Sequence, residues 1–203
     1  MTARTPSLTP TLTPGSVPAP ARRPRADAVR NRALIVETAR TVFTARGSDA
    51  SLEEIARGAG VGIGTLYRHF PTRDDLVAAV FRERIDELQA LGEQLLASDA
   101  PGEALATWLH EQLVQAATCR GLAAEAMLTM LGQHDEPSPC ESMRQAGAAL
   151  LARAQAAGDV REGVEIDDLV RMVQAVSLAA EESDDPGSAE RLFGFLLDGV
   201  RAR

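Results

Sequence analysis

Residues 52–70, LEEIARGAGVGIGTLYRHF, decide the fold because they place a glycine turn between two short helical segments. Two short helices can cross at a steep angle only if the contact residue is small, the turn residue tolerates unusual dihedral angles, and the other inward positions are apolar. Ala56 and Gly60 meet the first two requirements. The third is met by Ile55, Val61, Leu66 and Phe70. The stretch predicts a helix-turn-helix, with helices over 52–58 and 63–70, and a plain helical hairpin is the alternative.

Helix signals continue on both sides of this stretch. Upstream, apolar residues recur at the offsets of one helical face, and Gly47 follows as a stop signal. Those apolar residues are Ile35, Ala39, Val42 and Phe43. Ser51 with Glu54, and Thr72 with Asp75, have the spacing of capping boxes. The sequence therefore predicts one helix before the turn and a long fourth helix after Thr72.

The remainder of the chain stays helical in pattern. It lacks an alternating strand and the Asn-Gly or Asp-Gly pairs of a tight hairpin. Breaks at 98–101, 120–121, 137–139, 158–163 and 184–187 divide it into about five helices. The prediction is an all-α fold with about nine helices in total.

Composition divides the chain into three parts. Residues 1–26 are rich in Pro, Thr and Ala, which predicts a disordered tail. Residues 27–73 form the predicted helix-turn-helix domain, and residues 74–203 form a larger helical domain. No apolar run approaches the roughly 18 residues of a membrane span, so we expect a cytoplasmic protein without a membrane partner.

The overall charge of -8 hides an asymmetry along the chain. Residues 22–73 carry ten arginines against five acidic residues, a net charge of +5, and residues 74–203 have a net charge of -14. Local charge sets the field that a phosphate backbone meets. The N-terminal part is therefore expected to bind anions. Its first arginines, Arg22, Arg23 and Arg25, fit either a phosphate contact or a solvated basic tail.

Residues 60–76, GVGIGTLYRHFPTRDDL, resemble the signature of the TetR family of transcriptional regulators, and the resemblance extends over about residues 28–80. It implies a homodimer whose first three helices bind double-stranded DNA at a near-palindromic operator. The C-terminal helical domain would bind a small-molecule effector and dimerise. By analogy with the family, we expect a repressor that a small apolar ligand releases, although the sequence alone equally allows an activator.

The resemblance also implies a set of DNA-binding residues: Ser51, Gly62, Ile63, Gly64, Thr65, Tyr67, Arg68, His69 and Arg73. Thr65 and Arg68 have side chains that can read thymine and guanine. Each assignment has a structural alternative. Tyr67 fits a packing residue, His69 a solvated helix end, Arg68 a plain phosphate contact, and Arg73 a surface charge, while Ser51 is already explained as a cap.

The C-terminal domain carries apolar stripes with two interpretations each. One set fits either an effector pocket or ordinary core: Trp108, Leu109, Met127, Met130, Leu131 and Met172. A second set fits a four-helix dimer interface, which the family favours, or an internal core: Leu169, Val173, Val176, Leu192, Phe195, Leu196 and Val200.

Catalytic and metal-binding patterns are weak, so we predict no enzyme, no cofactor and no metal. His110-Glu111 begins like a zinc-protease helix, but Val114 stands where the second histidine is required. The group His134, Asp135, Glu136 and Cys140 suits an exposed loop, and with Cys119 the chain has only two cysteines. The rival function is a helical adaptor that binds proteins and has a degenerate DNA-binding unit.

Overall fold

The structure, a computed structural model, describes residues 24–118 and 139–202. Within those ranges it contains eight α-helices and no strand, which confirms the all-α prediction. The helices are α1 (Pro24–Arg46), α2 (Leu52–Gly58), α3 (Ile63–His69), α4 (Arg73–Leu95), α5 (Pro101–Thr118), α6 (Pro139–Ala156), α7 (Ile166–Glu181) and α8 (Ser188–Val200). A short 3-10 helix, Gly47–Asp49, joins α1 to α2.

Two helix boundaries differ from the sequence prediction. α1 begins at Pro24, so the tail predicted to reach residue 26 gives way to helix earlier. Proline is compatible with the first helical position because the missing N–H has no intrahelical acceptor there. α3 ends at His69, and Phe70 is its extended C-cap, as expected for a residue that precedes Pro71.

The two predicted capping boxes form to different degrees. The Thr72 hydroxyl accepts the Asp75 N–H at 3.1 Å, and the Asp75 carboxylate accepts the Thr72 N–H at 3.0 Å, which completes the box of α4. Ser51 Oγ accepts the Glu54 N–H at 3.4 Å, but the Glu54 carboxylate pairs with Arg46 at 3.2 Å. The box predicted for α2 is therefore only half formed, because an arginine takes its carboxylate.

The first hydrophobic core joins α1, α2 and α3 to the start of α4. Ile35, Ile55, Leu66 and Leu76 are fully buried within it. Because α4 contributes Leu76, Val77 and Val80 to this core, its first turns are part of the packing that holds α3 in place.

The second core lies among α5, α6, α7 and α8, with the later part of α4 against it. Trp108 is fully buried, and its indole Nε1 donates to the backbone carbonyl of Leu88 at 2.9 Å. Gly92 and Gly147 border the indole ring, and a methyl group at Gly147 would overlap it. α4 is thus shared by both cores. In the part of the chain that the structure describes, no helix is both long and apolar enough to cross a membrane.

Candidate nucleic-acid interface

The turn between α2 and α3 has the geometry that the sequence predicts. Gly60 has φ +68°, a left-handed conformation that favours glycine, and the Val61 N–H donates to the Ala56 carbonyl at 3.0 Å. Ala56 is 2% exposed, so a larger residue there would push the two helices apart. This turn fixes the direction in which α3 leaves α2.

The outward surface of α3 contains the predicted DNA-binding residues of that helix. Leu66 and Phe70 point into the first core, as predicted. Five residues are exposed: Gly62, Ile63, Gly64, Tyr67 and Arg68. Thr65 and His69 are half-buried. Tyr67 is 46% exposed, which disfavours the alternative that it is a packing residue.

Arg68 lies along its own helix. Its Nε donates to the Gly64 carbonyl at 3.1 Å, and its Nη2 donates to Thr65 Oγ1 at 3.1 Å. The two side chains predicted to read bases are therefore in contact with each other. A guanidinium has five N–H donors, so these two bonds leave donors for a further acceptor.

Gly62 and Gly64 are not required by the packing of the protomer. A Cβ built at either position meets no atom within 4 Å, and neither residue has a positive φ. Glycine at such sites allows another molecule to approach the backbone closely. The start of α3 therefore presents bare backbone to its surroundings.

Arg73, predicted as a phosphate contact, packs against the protein instead of extending from it. Its Nη1 donates to the Ala50 carbonyl at 2.6 Å and its Nη2 to the Gly47 carbonyl at 3.4 Å. Its guanidinium carbon lies 5.2 Å from the centre of the Phe43 ring. A positive charge in the first turn of a helix opposes the helix dipole, and these contacts offset that cost. Arg73 thus ties the start of α4 to the corner between α1 and α2.

Charged residues also join α1 to α3 and α4, a feature that the sequence did not predict. The Arg32 guanidinium carbon lies 5.1 Å from the centre of the Phe70 ring, at the end of α3. Arg40 pairs with Glu37 at 2.8 Å and with Glu87 of α4 at 3.4 Å. Burial raises the pKa of Glu83, as do the nearby carboxylates of Glu87 and Glu37, while Arg32 and Arg40 oppose the shift. Spacing within one helix could identify only the Arg40–Glu37 pair, because the contacts of Arg32 with Phe70 and of Arg40 with Glu87 join different parts of the chain.

The predicted effector-pocket residues fall into three groups. Trp108 and Leu109 are fully buried in the second core, which favours their alternative interpretation as core residues. Met127, Met130 and Leu131 lie outside the described residues. Met172 is 46% exposed and lines a surface cavity of about 320 Å³ together with Arg161 and Asp168.

The predicted dimer stripe needs correction. Four of its residues are buried in the protomer's own second core and so are not available to a partner: Leu169, Val173, Leu196 and Val200. Val176 and Leu192 are half-buried, and Phe195 is 64% exposed. The large exposed apolar residues on α7 are Met172, which was predicted to line the effector pocket, and Leu178, which was not predicted to have a role. Periodicity located the apolar face of each helix but not the neighbour that covers it.

Among the residues that the structure describes, no group of three or more His, Cys, Asp or Glu side chains is placed to hold a metal ion. Cys140 is half-buried, and the other members of its predicted group, residues 134–136, are outside the described ranges.

The fold and this surface define a DNA-binding protein of the helix-turn-helix class. Residues 35–80 match the family model of bacterial regulatory proteins of the tetR family, and residues 100–202 match that of the C-terminal domain of SbtR-like transcriptional regulators. The chain belongs to the TetR family of transcriptional regulators. This is a family of DNA-binding proteins and not of enzymes.

Individual relatives agree with this assignment. A TetR transcriptional regulator from Streptomyces coelicolor is 35% identical with a TM-score of 0.69, and the match covers 84% of this chain and 98% of that one. An HTH-type transcriptional regulator of Staphylococcus aureus is 35% identical over 81 residues, which is 38% of this chain and 42% of the relative. The chain thus spans less than half the length of that curated relative.

A more distant solved structure shares the fold. RolR in complex with resorcinol is 20% identical with a TM-score of 0.58, and the match covers 88% of this chain and 91% of that one.

Proposed function

We propose that the protein is a cytoplasmic, homodimeric repressor that binds a near-palindromic operator and is released from it by a small-molecule effector. The observation that carries this proposal is the outward face of α3. It lies in the positively charged part of the chain, and its inward face is fixed by a buried core. A protein interaction surface would not require that charge.

In the proposed complex, α3 of each protomer enters a major groove. Two such grooves on one side of the duplex lie about 34–36 Å apart, which sets the spacing of the half-sites. Thr65 and Arg68 read bases, and the bare backbone at Gly62 and Gly64 allows α3 to approach closely. Tyr67, His69 and Ser51 contact phosphates. Ile63, 38% exposed, offers an apolar contact to a thymine methyl group.

The proposed dimer forms through the exposed apolar side of α7 and α8. Met172, Leu178 and Phe195 are the large exposed apolar residues there, with half-buried Val176 and Leu192 on the same two helices. A twofold axis would pair this surface with its own copy as a four-helix bundle. The buried residues of the predicted dimer stripe then pack α7 and α8 against the protomer's own second core.

The proposed effector acts through α4. This helix contributes to the core that holds α3 and also packs against the second core, so the two domains share it. An effector that binds better to a form with another α3 spacing would weaken operator binding by that difference in affinity. The complex of RolR with resorcinol shows that a protein of this fold accommodates a small aromatic molecule.

The proposal is tested by selecting bound duplexes from a random library and measuring the complex by sedimentation. We expect an enriched near-palindrome that binds two protomers. Phe195→Arg should yield monomers that bind the duplex more weakly, whereas Arg171→Ala, an exposed residue of α7, should remain dimeric. Failure to enrich any duplex would favour the adaptor function instead.

A further inference from the structure

The first three turns of α1 contribute little to the packing of the protomer. α1 begins at Pro24, yet its first buried residue is Ile35, and every residue from 26 to 34 is exposed or half-buried. None of the residues 26–34 belongs to either of the two hydrophobic cores that the described residues form. Residues 24–34, the α1 extension, therefore form a helix that projects from the first core.

The α1 extension is positively charged. Its sequence carries Arg25, Arg30 and Arg32 against one acidic residue, Asp27, which gives a net charge of +2. In the part of the chain that the structure describes, Arg30 is exposed and has no hydrogen-bond or ion-pair partner. A guanidinium has five N–H donors and stays protonated in proteins, so the extension offers an uncompensated cation to an anionic partner.

One contact locates the α1 extension relative to α3. The Arg32 guanidinium carbon lies 5.1 Å from the centre of the Phe70 ring, and Phe70 is the C-cap of α3. The extension therefore leaves the first core beside the C-terminal end of α3. A helix that lies in a major groove has a phosphate backbone on either side of it, so a basic segment at its end lies next to phosphates.

Two large apolar side chains are also exposed on the α1 extension, Val29 at 67% and Leu34 at 42%. They are five positions apart, which places them about 140° apart around the helix axis. A partner helix requires apolar residues at spacings of three and four, and these two side chains do not form such a stripe. Charge is therefore the property of the extension that selects its partner.

We infer that the α1 extension binds the phosphate backbone of double-stranded DNA beside the half-site that α3 reads, with Arg30 as a phosphate contact. This inference rests on the proposed function, in which α3 enters the major groove. A helix rises about 1.5 Å per residue, so the extension is about 16 Å long and reaches over about five base pairs. Phosphate contacts carry no sequence information, so Arg30 adds affinity without changing the base preference.

The test uses the full chain and the selected duplex, extended by about five base pairs of arbitrary sequence at each end so that every phosphate within reach is present. Arg30→Ala should reduce the slope of log affinity against log salt by about 0.9 for each protomer, and so by about 1.8 for a dimer. The ranking of duplex sequences should not change. Phosphates whose ethylation weakens binding of the wild type beside each half-site should no longer affect binding of Arg30→Ala.

Two variants are matched controls for Arg30→Ala. Val29→Ala removes the neighbouring exposed side chain but keeps the charge of the α1 extension. Arg171→Ala removes one exposed arginine from α7, so it changes the net charge of the protein by the same amount in the second domain. Both controls should keep the salt slope and the ethylation pattern of the wild type.

Three results would overturn the inference. The first is an Arg30→Ala protein with the salt slope and ethylation pattern of the wild type. The second is an equal reduction of the slope in Arg171→Ala, because the effect would then follow net charge and not a contact. The third is a changed sequence preference in Arg30→Ala, which would place the side chain against base edges.

The same experiment separates this inference from the proposed function. A chain that binds no duplex refutes the proposed function itself. A chain that binds its duplex equally well with and without the Arg30 side chain refutes only the contact of the α1 extension.

Discussion

The DNA-binding unit (α1 to α3) and the body (α5 to α8) differ in how much of their structure follows from local sequence. In the DNA-binding unit, the turn glycine, the start of α2 and the outward face of α3 all lie where a stretch of 19 residues predicts them. In the body, the amphipathic stripes are equally clear, yet their period left open whether the protomer's own core or a partner covers them, and the structure buries most of these residues in the core. Short-range rules determine helices and turns, whereas the packing of long helices depends on residues far apart in the chain.

The largest loss of stability is expected from a substitution at the centre of the body. Trp108→Ala removes a fully buried indole and its bond to Leu88, and should lower the free energy of unfolding by about 3–5 kcal/mol. Trp108→Phe keeps a ring and should cost clearly less. Guanidinium unfolding followed by circular dichroism measures both. Equal losses would show that the hydrogen bond, and not the packing, holds the two helices.

The next largest loss of stability is expected at Arg73. Its substitution also distinguishes a residue that positions α4 from one that contacts a phosphate. Arg73→Ala loses two bonds to backbone carbonyls and should lower the free energy of unfolding by about 1.5–3 kcal/mol. At a temperature where the variant is folded, duplex affinity should fall without a change in its salt dependence. A salt slope reduced by about one unit would instead identify a phosphate contact. Arg57→Ala, at an exposed position, is the stability control.

A smaller effect is expected at the turn of the DNA-binding unit. Gly60→Val places a β-branched side chain at φ +68° and should cost about 1–2 kcal/mol, with loss of duplex binding. Gly62→Ala is the matched control, because its Cβ meets no atom within 4 Å and its backbone is extended. That control should keep its stability, and a loss there would show that α3 needs glycine for its own packing.

The smallest change in stability is expected at Glu83 of α4, the helix that both hydrophobic cores share. Because burial raises the pKa of Glu83 above its ordinary value of 4.5, the folded state holds this proton more tightly than the unfolded state. Its contribution to stability is present below pH 4.5 and is lost as pH rises through the folded-state pKa.

Glu83→Gln should therefore stabilise the protein at neutral pH, by at most about 0.5 kcal/mol because the carboxylate is partly solvated. The gain should disappear in acid, and thermal melts at several pH values measure it. A gain that stays constant with pH would mean that the change acts through packing and not through charge.

Several functional features were predictable from the sequence for identifiable reasons. The inward positions Leu66 and Phe70 follow from the period of a helix that crosses a neighbour, and the Thr72 cap follows from a local spacing. The family resemblance implies a phosphate contact for Arg73, and a positive charge in the first turn of a helix also predicts a nearby acceptor, which the carbonyls of Ala50 and Gly47 supply.

Other features depended on the three-dimensional packing. Gln112 and Arg84 lie on helical faces whose burial only the packing of α4 on α5 reveals. Phe195 and Leu196 are adjacent in sequence, yet one is 64% and the other 5% exposed. Their apolar character could not indicate which one meets a partner.

The most direct test of the account is the salt dependence of affinity for the selected duplex. The affinity should fall linearly with salt on logarithmic axes, with a slope of about -0.9 for each phosphate neutralised. A steep slope, from several phosphates in each half-site, is predicted for a dimer that reads DNA with α3. Affinity that is independent of salt, or no measurable binding to any duplex, would contradict the assignment of the positively charged N-terminal part as a DNA-binding surface.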